Sequence, residues 1–219
     1  MPAQGTLRDG TAAGFELIET LRWEPEEGFV RLDRHMARLG KSARALGFAH
    51  DEGAVREVLN GCASGNTPLR VRLTLAQDGR IGVTNAPFEP LPADACWTVR
   101  IADTRLNSAD RLLRHKTTRR AVYEAARAEF SRGEADEVLL LNDRGEVCEG
   151  TITNVFVDIG EPVLVTPALD CGLLPGILRG SLLDKGSARE AVLTEADLRA
   201  VRAIYVGNSL RGLIRARLL

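Results

Sequence analysis

One stretch limits what this chain can fold into more than any other: residues 115–154, HKTTRRAVYEAARAEFSRGEADEVLLLNDRGEVCEGTITN. Lys116 stands at the mouth of a predicted helix over 119–132. The apolar run 137–141 reads as a strand, and 142–145 as the turn into a further strand running through Glu149 and Thr151 to Val157. If folding brings Lys116 and Glu149 together, the pair suits one chemistry. An amine can hold an aldehyde as an imine, and a carboxylate can keep a ring nitrogen protonated so that the ring withdraws electrons. Each residue also has an ordinary reading. Lys116 lies among Arg111, Arg114, Arg119 and Arg120, and such charge runs usually form solvated faces, while Glu149 alone could be a turn carboxylate. The glycine after the acid, the hydroxyls of Thr151 and Thr153, and Asn154 leading into the apolar VFV single the acid out.

At 219 residues the chain exceeds one typical domain and falls short of two large ones, which points to a compact two-lobed unit. Apolar residues make up 44% and charged residues 27%, so the composition is globular rather than disordered or fibrous. A formal net charge of −1 provides no basic field for nucleic acid, although arginines concentrated locally can still serve an anionic small molecule. Cys62, Cys96, Cys148 and Cys171 are widely spaced, with no CxxC pair and no histidine cluster, so reduced thiols and no metal site are expected. No apolar h-region opens the sequence and no apolar run reaches membrane-spanning length. A cytoplasmic protein with no membrane contact is the expectation.

Taken in order, a loose polar start gives way to a strand over 15–23, a turn over 24–28 and a return strand over 29–32. Asp33 is expected to cap a helix that places Met36, Leu39, Ala43 and Leu46 on one face before Gly47 ends it. A second helix follows over 51–62, then a strand over 69–75 and a hairpin at Asp78-Gly79 into 81–83. Three prolines in 85–92 suggest the linker between lobes, which divides the chain into a small α/β lobe at 1–90 and a larger lobe at 91–219. Beyond the linker come strands at 97–101, 162–166, 191–193 and 203–206. A helix opening near Leu173 with Pro175 in its first turn and a capped helix from Thr194 complete the reading.

Five segments carry a resemblance: FELIETLRW at 15–23, LDRHMARL at 32–39, HKTTRR at 115–120, EGTITNVFV at 149–157 and CGLLPGILR at 171–179. Together they resemble the class IV aminotransferases, the fold-type IV pyridoxal phosphate enzymes, a group that includes branched-chain and D-amino acid aminotransferases and 4-amino-4-deoxychorismate lyases. The resemblance implies a two-lobed α+β fold with pyridoxal 5'-phosphate between the lobes. It makes Lys116 the Schiff-base lysine and Glu149 the partner of the cofactor nitrogen, with Thr153 beside them. Arg38, of the His35-Met-Ala-Arg38 motif, becomes a phosphate ligand, with His35 in a structural role. It also implies that Leu174 packs on the cofactor ring and that the amides of Ile177 and Leu178 bind phosphate. Many relatives carry a hydroxyl where Leu178 stands, so a side-chain bond is missing here. Asn208 and Ser209 match the last phosphate turn.

The segments TLRW and NSLRG look most like aminodeoxychorismate lyase. They imply a catalytic Thr20 and substrate-binding Arg22 and Arg211, with Arg70 and Arg105 as further candidates. The expected activity is 4-aminobenzoate and pyruvate formation in folate biosynthesis by a homodimer, with a branched-chain or D-amino acid aminotransferase as the alternative.

Overall fold

The structure is a computed structural model that describes residues 14–219; the loose start expected before them lies outside the described residues. Alternation, cleanest in the third strand of the chain, builds the first sheet. In β1 (Leu17–Glu24) Leu17 and Leu21 are buried, and the next strand of the sheet in chain order is the two-residue β2 (Gly28–Phe29). α1 (Leu32–Leu46) and α2 (Glu52–Cys62) follow, then β3 (Leu69–Leu75) and β4 (Ile81–Pro87). The sheet order is β2-β1-β3-β4, all antiparallel. Met36, Leu39 and Ala43 of α1 and Val55 and Leu59 of α2 fill the core against Leu17, Leu21, Val71, Leu73 and Leu75. Because strand side chains alternate, the opposite face of β1 and β3 carries Thr20 opposite Arg72 and Arg22 opposite Arg70.

The second sheet starts with β5 (Cys96–Leu106). A single 3-10 turn at Arg111–Arg114 precedes α3 (Ala121–Ala128), β6 (Glu137–Asn142), β7 (Val147–Gly150), β8 (Asn154–Asp158) and β9 (Leu164–Pro167). α4 (Ile177–Asp184), β10 (Ala188–Ala191), α5 (Glu195–Ala200), β11 (Ala203–Asn208) and β12 (Gly212–Leu218) end the chain. The strand order is β10-β9-β8-β11-β12-β5-β6-β7, and a further pairing of β7 with β8 closes six of these strands into a ring. Aliphatic residues such as Val99, Leu139, Val155, Val206 and Ile214 form one core, and a second lies under α3 around Leu106, Val138 and Leu140. The α+β class and the two-lobed architecture stand. No helix among the described residues is long and apolar enough to cross a membrane.

Several local expectations change. The return strand stops at Phe29, and α1 is capped not by Asp33 but by Arg31, whose backbone is left-handed (φ 58°) and whose side chain makes no capping bond; Asp33 sits in the first turn. The first three residues of the proline-rich segment are strand, since β4 reaches Pro87 on the sheet edge, where a missing N–H is tolerated. Lys116 is not at the mouth of α3. It lies in an extended run in which its carbonyl accepts from the Ile18 N–H (2.9 Å) and Thr118 N–H donates to the Glu16 carbonyl (2.9 Å), so β1 holds it. α3 itself is short, ending at Ala128 rather than 132. Pro175 precedes α4 instead of entering its first turn, the N-cap being Gly176.

The largest correction concerns 149–157, which is two strands and not one. β7 and β8 pair antiparallel, Glu149 against Asn154, around a reversal at 151–153. The cause is Glu137. This buried carboxylate accepts from the Thr151 N–H (3.0 Å), the Thr151 hydroxyl (2.6 Å), the Ile152 N–H (3.1 Å) and the Thr153 hydroxyl (2.8 Å), and so winds the turn around itself. Gly150 is required there, because a Cβ would lie 2.4 Å from the Thr153 hydroxyl oxygen and 2.8 Å from the Glu137 carboxyl carbon.

Candidate active site

A cavity of about 400 Å³ lies where the two sheets meet, of a size suited to a small molecule. Thr20, Arg70 and Arg72 of the first sheet, Arg38 of α1, Lys116, the 149–154 turn, the start of α4 and the Asn208–Arg211 turn all face it. Of the residues expected at the site, Thr20, Arg38, Lys116, Glu149, Thr153, Leu174, Ile177, Asn208, Ser209 and Arg211 are brought together there.

Lys116 is the only lysine on the cavity wall. Burial, aided by the neighbouring cations Arg38 and Arg120, pulls its ammonium down to about 8, against the opposing pull of Glu19 and Glu149. A larger share of the amine is therefore neutral at physiological pH than for an exposed lysine. Glu149 is buried opposite, and burial pushes its carboxyl up to about 7 although Tyr123, the Leu174 N–H, Lys116 and Arg120 act to lower it. Both protein donors use one oxygen: Tyr123 Oη donates to Oε1 at 2.7 Å and the Leu174 N–H at 3.2 Å. Oε2 has no protein donor among the described residues, which leaves it for a cationic N–H in the cavity. Tyr123 was not legible as part of the site. Its phenol is pushed up by burial and by Glu149, so it remains a donor.

The other end of the cavity is built for an anion. The first amides of α4 lack any side-chain cap, so the helix offers free N–H groups and the positive end of its dipole. Gly176 makes this approach possible: a Cβ would lie 1.7 Å from Asn154 Oδ1, whose partner Nδ2 donates to the Leu174 carbonyl at 3.1 Å. The Leu178 side chain does not line the cavity; it is buried close to Gly207. Arg38 presents its guanidinium beside α4, its Nη1 donating to the Pro175 carbonyl at 3.3 Å. Asn208 shapes the last turn, its Oδ1 accepting from the N–H groups of Leu210 (3.1 Å) and Arg211 (3.0 Å). Ser209 Oγ lies 3.0 Å from His35 Nε2.

Arg22 is not brought to this cavity. It pairs with Glu24 and lies over the Phe88 ring, 5.2 Å from its centroid. Arg105 also turns away, capping the carbonyls of Ala102 and Asp103. Arg70, Arg72, Arg119 and Arg211 stand on the wall with no side-chain hydrogen bond or ion pair among the described residues, although Arg119 lies over the Phe15 ring (5.9 Å to its centroid) and Arg211 over Trp97 (5.8 Å). Arg72 and Arg119 were not singled out from the sequence, where they read as ordinary surface cations.

A family model described as amino-transferase class IV matches residues 16–219. The chain belongs to the class IV aminotransferase family. This is a family of pyridoxal phosphate-dependent enzymes, lyases as well as aminotransferases. A Schizosaccharomyces pombe protein provisionally named aminodeoxychorismate lyase is 32% identical over 204 residues, which cover 89% of this chain and 86% of that protein. Among solved structures, one from Mesorhizobium loti provisionally described as an amino-acid aminotransferase is 56% identical, with a TM-score of 0.92 over 94% of this chain and all of the other. The 4-amino-4-deoxychorismate lyase of Pseudomonas aeruginosa is 26% identical, with a TM-score of 0.80, covering all of this chain and 88% of the other.

The donor set fits the family's cofactor: an amine of lowered basicity, a buried carboxylate with one open oxygen, and a guanidinium beside an uncapped helix start made accessible by Gly176.

Proposed function

We propose that the protein is a 4-amino-4-deoxychorismate lyase, releasing 4-aminobenzoate and pyruvate with pyridoxal 5'-phosphate held in the cavity. The observation that carries this reading is the unpaired arginine wall of Arg70, Arg72, Arg119 and Arg211. Each product bears one carboxylate, so the substrate bears two, and guanidinium groups recognise carboxylates through paired, charge-assisted bonds. A branched aliphatic side chain would leave those cations facing hydrocarbon, which is unfavourable.

In this reading Lys116 would anchor the cofactor, Glu149 would partner its ring nitrogen, Arg38, the α4 amides and the backbone of the Asn208–Ser209 turn would hold its phosphate, and Leu174 would pack on its ring. When bound, the cofactor supplies an electron-withdrawing pyridinium. The Lys116 amine would serve as the base that takes the proton from the carbon beside the substrate nitrogen. It later delivers a proton to the departing enolpyruvyl carbon, so the proton removed and the proton returned balance. Glu149 would stabilise positive charge at the ring nitrogen, and that charge would draw its carboxyl back toward the ionised form. Thr20 borders the reacting region, and Arg211 and Arg70 orient the carboxylates.

The same proposal includes a cytoplasmic homodimer acting in folate biosynthesis, with the two lobes meeting near residue 90. Four free cysteines support a reducing compartment. The alternative, an aminotransferase acting on branched-chain or D-amino acids, draws support from the description of the Mesorhizobium loti structure.

The two readings separate on products. Given aminodeoxychorismate alone, the lyase turns over repeatedly and yields equal amounts of pyruvate and 4-aminobenzoate. Rapid conversion of the cofactor to its pyridoxamine form by an ordinary amino acid, with no pyruvate from aminodeoxychorismate, would reject the lyase and favour the aminotransferase.

A further inference from the structure

The polar groups around Arg38 converge on a residue to which neither the sequence motifs nor the mechanism above gives a role. Glu19 lies on the face of β1 that carries Leu17 and Leu21 into the core, and it is 1% exposed. A carboxylate in such a place is costly unless it is fully bonded. It is: Arg38 Nε donates to Oε1 at 2.8 Å, Arg38 Nη2 to Oε2 at 2.6 Å, and His35 Nδ1 lies 2.7 Å from Oε2.

We propose that Glu19 is the positioning residue of the phosphate cup, fixing Arg38 directly and the Ser209 turn through His35. This rests on the pyridoxal phosphate reading. A carboxylate paired with arginine is ionised and only accepts, so the hydrogen between it and His35 belongs to Nδ1. Arg38 already balances the charge of Glu19, so His35 stays neutral and its Nε2 accepts from the Ser209 hydroxyl (3.0 Å). The directions of burial agree. Burial favours the neutral acid, yet Arg38 and His35 hold the Glu19 carboxyl at about 2, and burial lowers the His35 imidazolium.

Two consequences follow for the cup. Glu19 occupies the Nε and Nη2 edge of the guanidinium, which leaves Nη1, beside Pro175 and the start of α4, as the edge available to an anion. The Ser209 hydroxyl proton is committed to His35, so the chain from Glu19 ties the β11–β12 turn to α1 and β1. One carboxylate on the first sheet thereby sets the relative placement of three anion-binding elements, two of which belong to the second half of the chain.

Charge and positioning predict opposite signs, which makes the proposal testable. Removing the negative charge of Glu19 makes the cup more cationic and on Coulomb grounds alone would tighten a phosphate ester; losing the alignment would loosen it. The experiment compares dissociation constants for pyridoxal 5'-phosphate and for pyridoxal, which lacks the phosphate, in the wild type, Glu19→Gln and Glu19→Asp, with circular dichroism to confirm folding. Glu19→Gln should weaken the phosphate ester about tenfold or more and pyridoxal by about twofold at most. Glu19→Asp keeps the charge but withdraws it by one methylene, and should show the same selective loss on a smaller scale; it carries the test if the Gln variant does not fold. Unchanged or tighter phosphate-ester binding, or an equal loss for both aldehydes, would overturn the proposal. A wild type that does not prefer the phosphate ester would overturn the underlying reading, and the proposal with it, before any variant is examined.

Discussion

At the scale of single residues, the site depends on pairs of groups whose surroundings push their ionisation in different directions. Glu149 is buried and raised to about 7, so the catalytic role proposed for it needs a positive partner to keep it ionised. Glu149→Gln preserves shape and removes that charge. Cofactor should remain bound while turnover falls on the order of a hundredfold, measured as pyruvate release. Normal turnover with cofactor bound would exclude the electrostatic role. Glu19 works at the acidic end. Its folded value of about 2 lies below the 4.5 of a free glutamate, so it contributes stability above about 4.5 that disappears as the pH falls toward 2. Thermal midpoints measured across that window should drop in the wild type and flatten in Glu19→Gln. Equal slopes would show that the buried ion pair does not govern acid stability.

At the scale of elements, the cavity is assembled by short segments that the sequence pattern only partly discloses. β3, α1, α2 and the capped helix α5 were legible because each shows a clean period or an end signal: LRVRLTL alternates, Gly47 ends α1 with φ 72°, and Thr194 forms a capping box with Asp197. The 149–157 segment was not. Its turn is dictated by Glu137, which sits on another strand and reads locally as nothing more than the first residue of an apolar run. β12 was missed as well, since the alternation of LIRARL has no turn residues to mark its far end. Glu137→Gln tests the turn directly. An amide nitrogen in place of Oε2 is a donor facing the Ile152 N–H and the Thr153 hydroxyl, which leaves a buried donor unmatched. The fold should lose about 2 kcal/mol or more in denaturant unfolding, with Glu149 displaced and cofactor binding weakened. An unfolding curve that matches the wild type would mean that the turn is held by its strands alone.

At the scale of the whole molecule, the five resembling segments converge although they span residues 15–179, because the 115–120 run bridges to β1 and the 149–154 turn packs against the start of α4. The resemblance reached most of the residues that line the cavity. It did not reach Glu19, Glu137 or Tyr123, whose roles depend on partners far away in the chain, and it assigned Arg22 to a wall from which Glu24 and Phe88 keep it. The central claim is that the cavity where the two sheets meet is the pyridoxal phosphate site and that Lys116 is its anchor. The chain offers three lysines, Lys41, Lys116 and Lys185, and both Lys41 and Lys185 are exposed and outside the cavity. Borohydride reduction of the protein with pyridoxal 5'-phosphate, followed by peptide mapping, asks which lysine carries the cofactor. A single label on Lys116 is the predicted result; a label on Lys41 or Lys185, or none at all, would contradict the account.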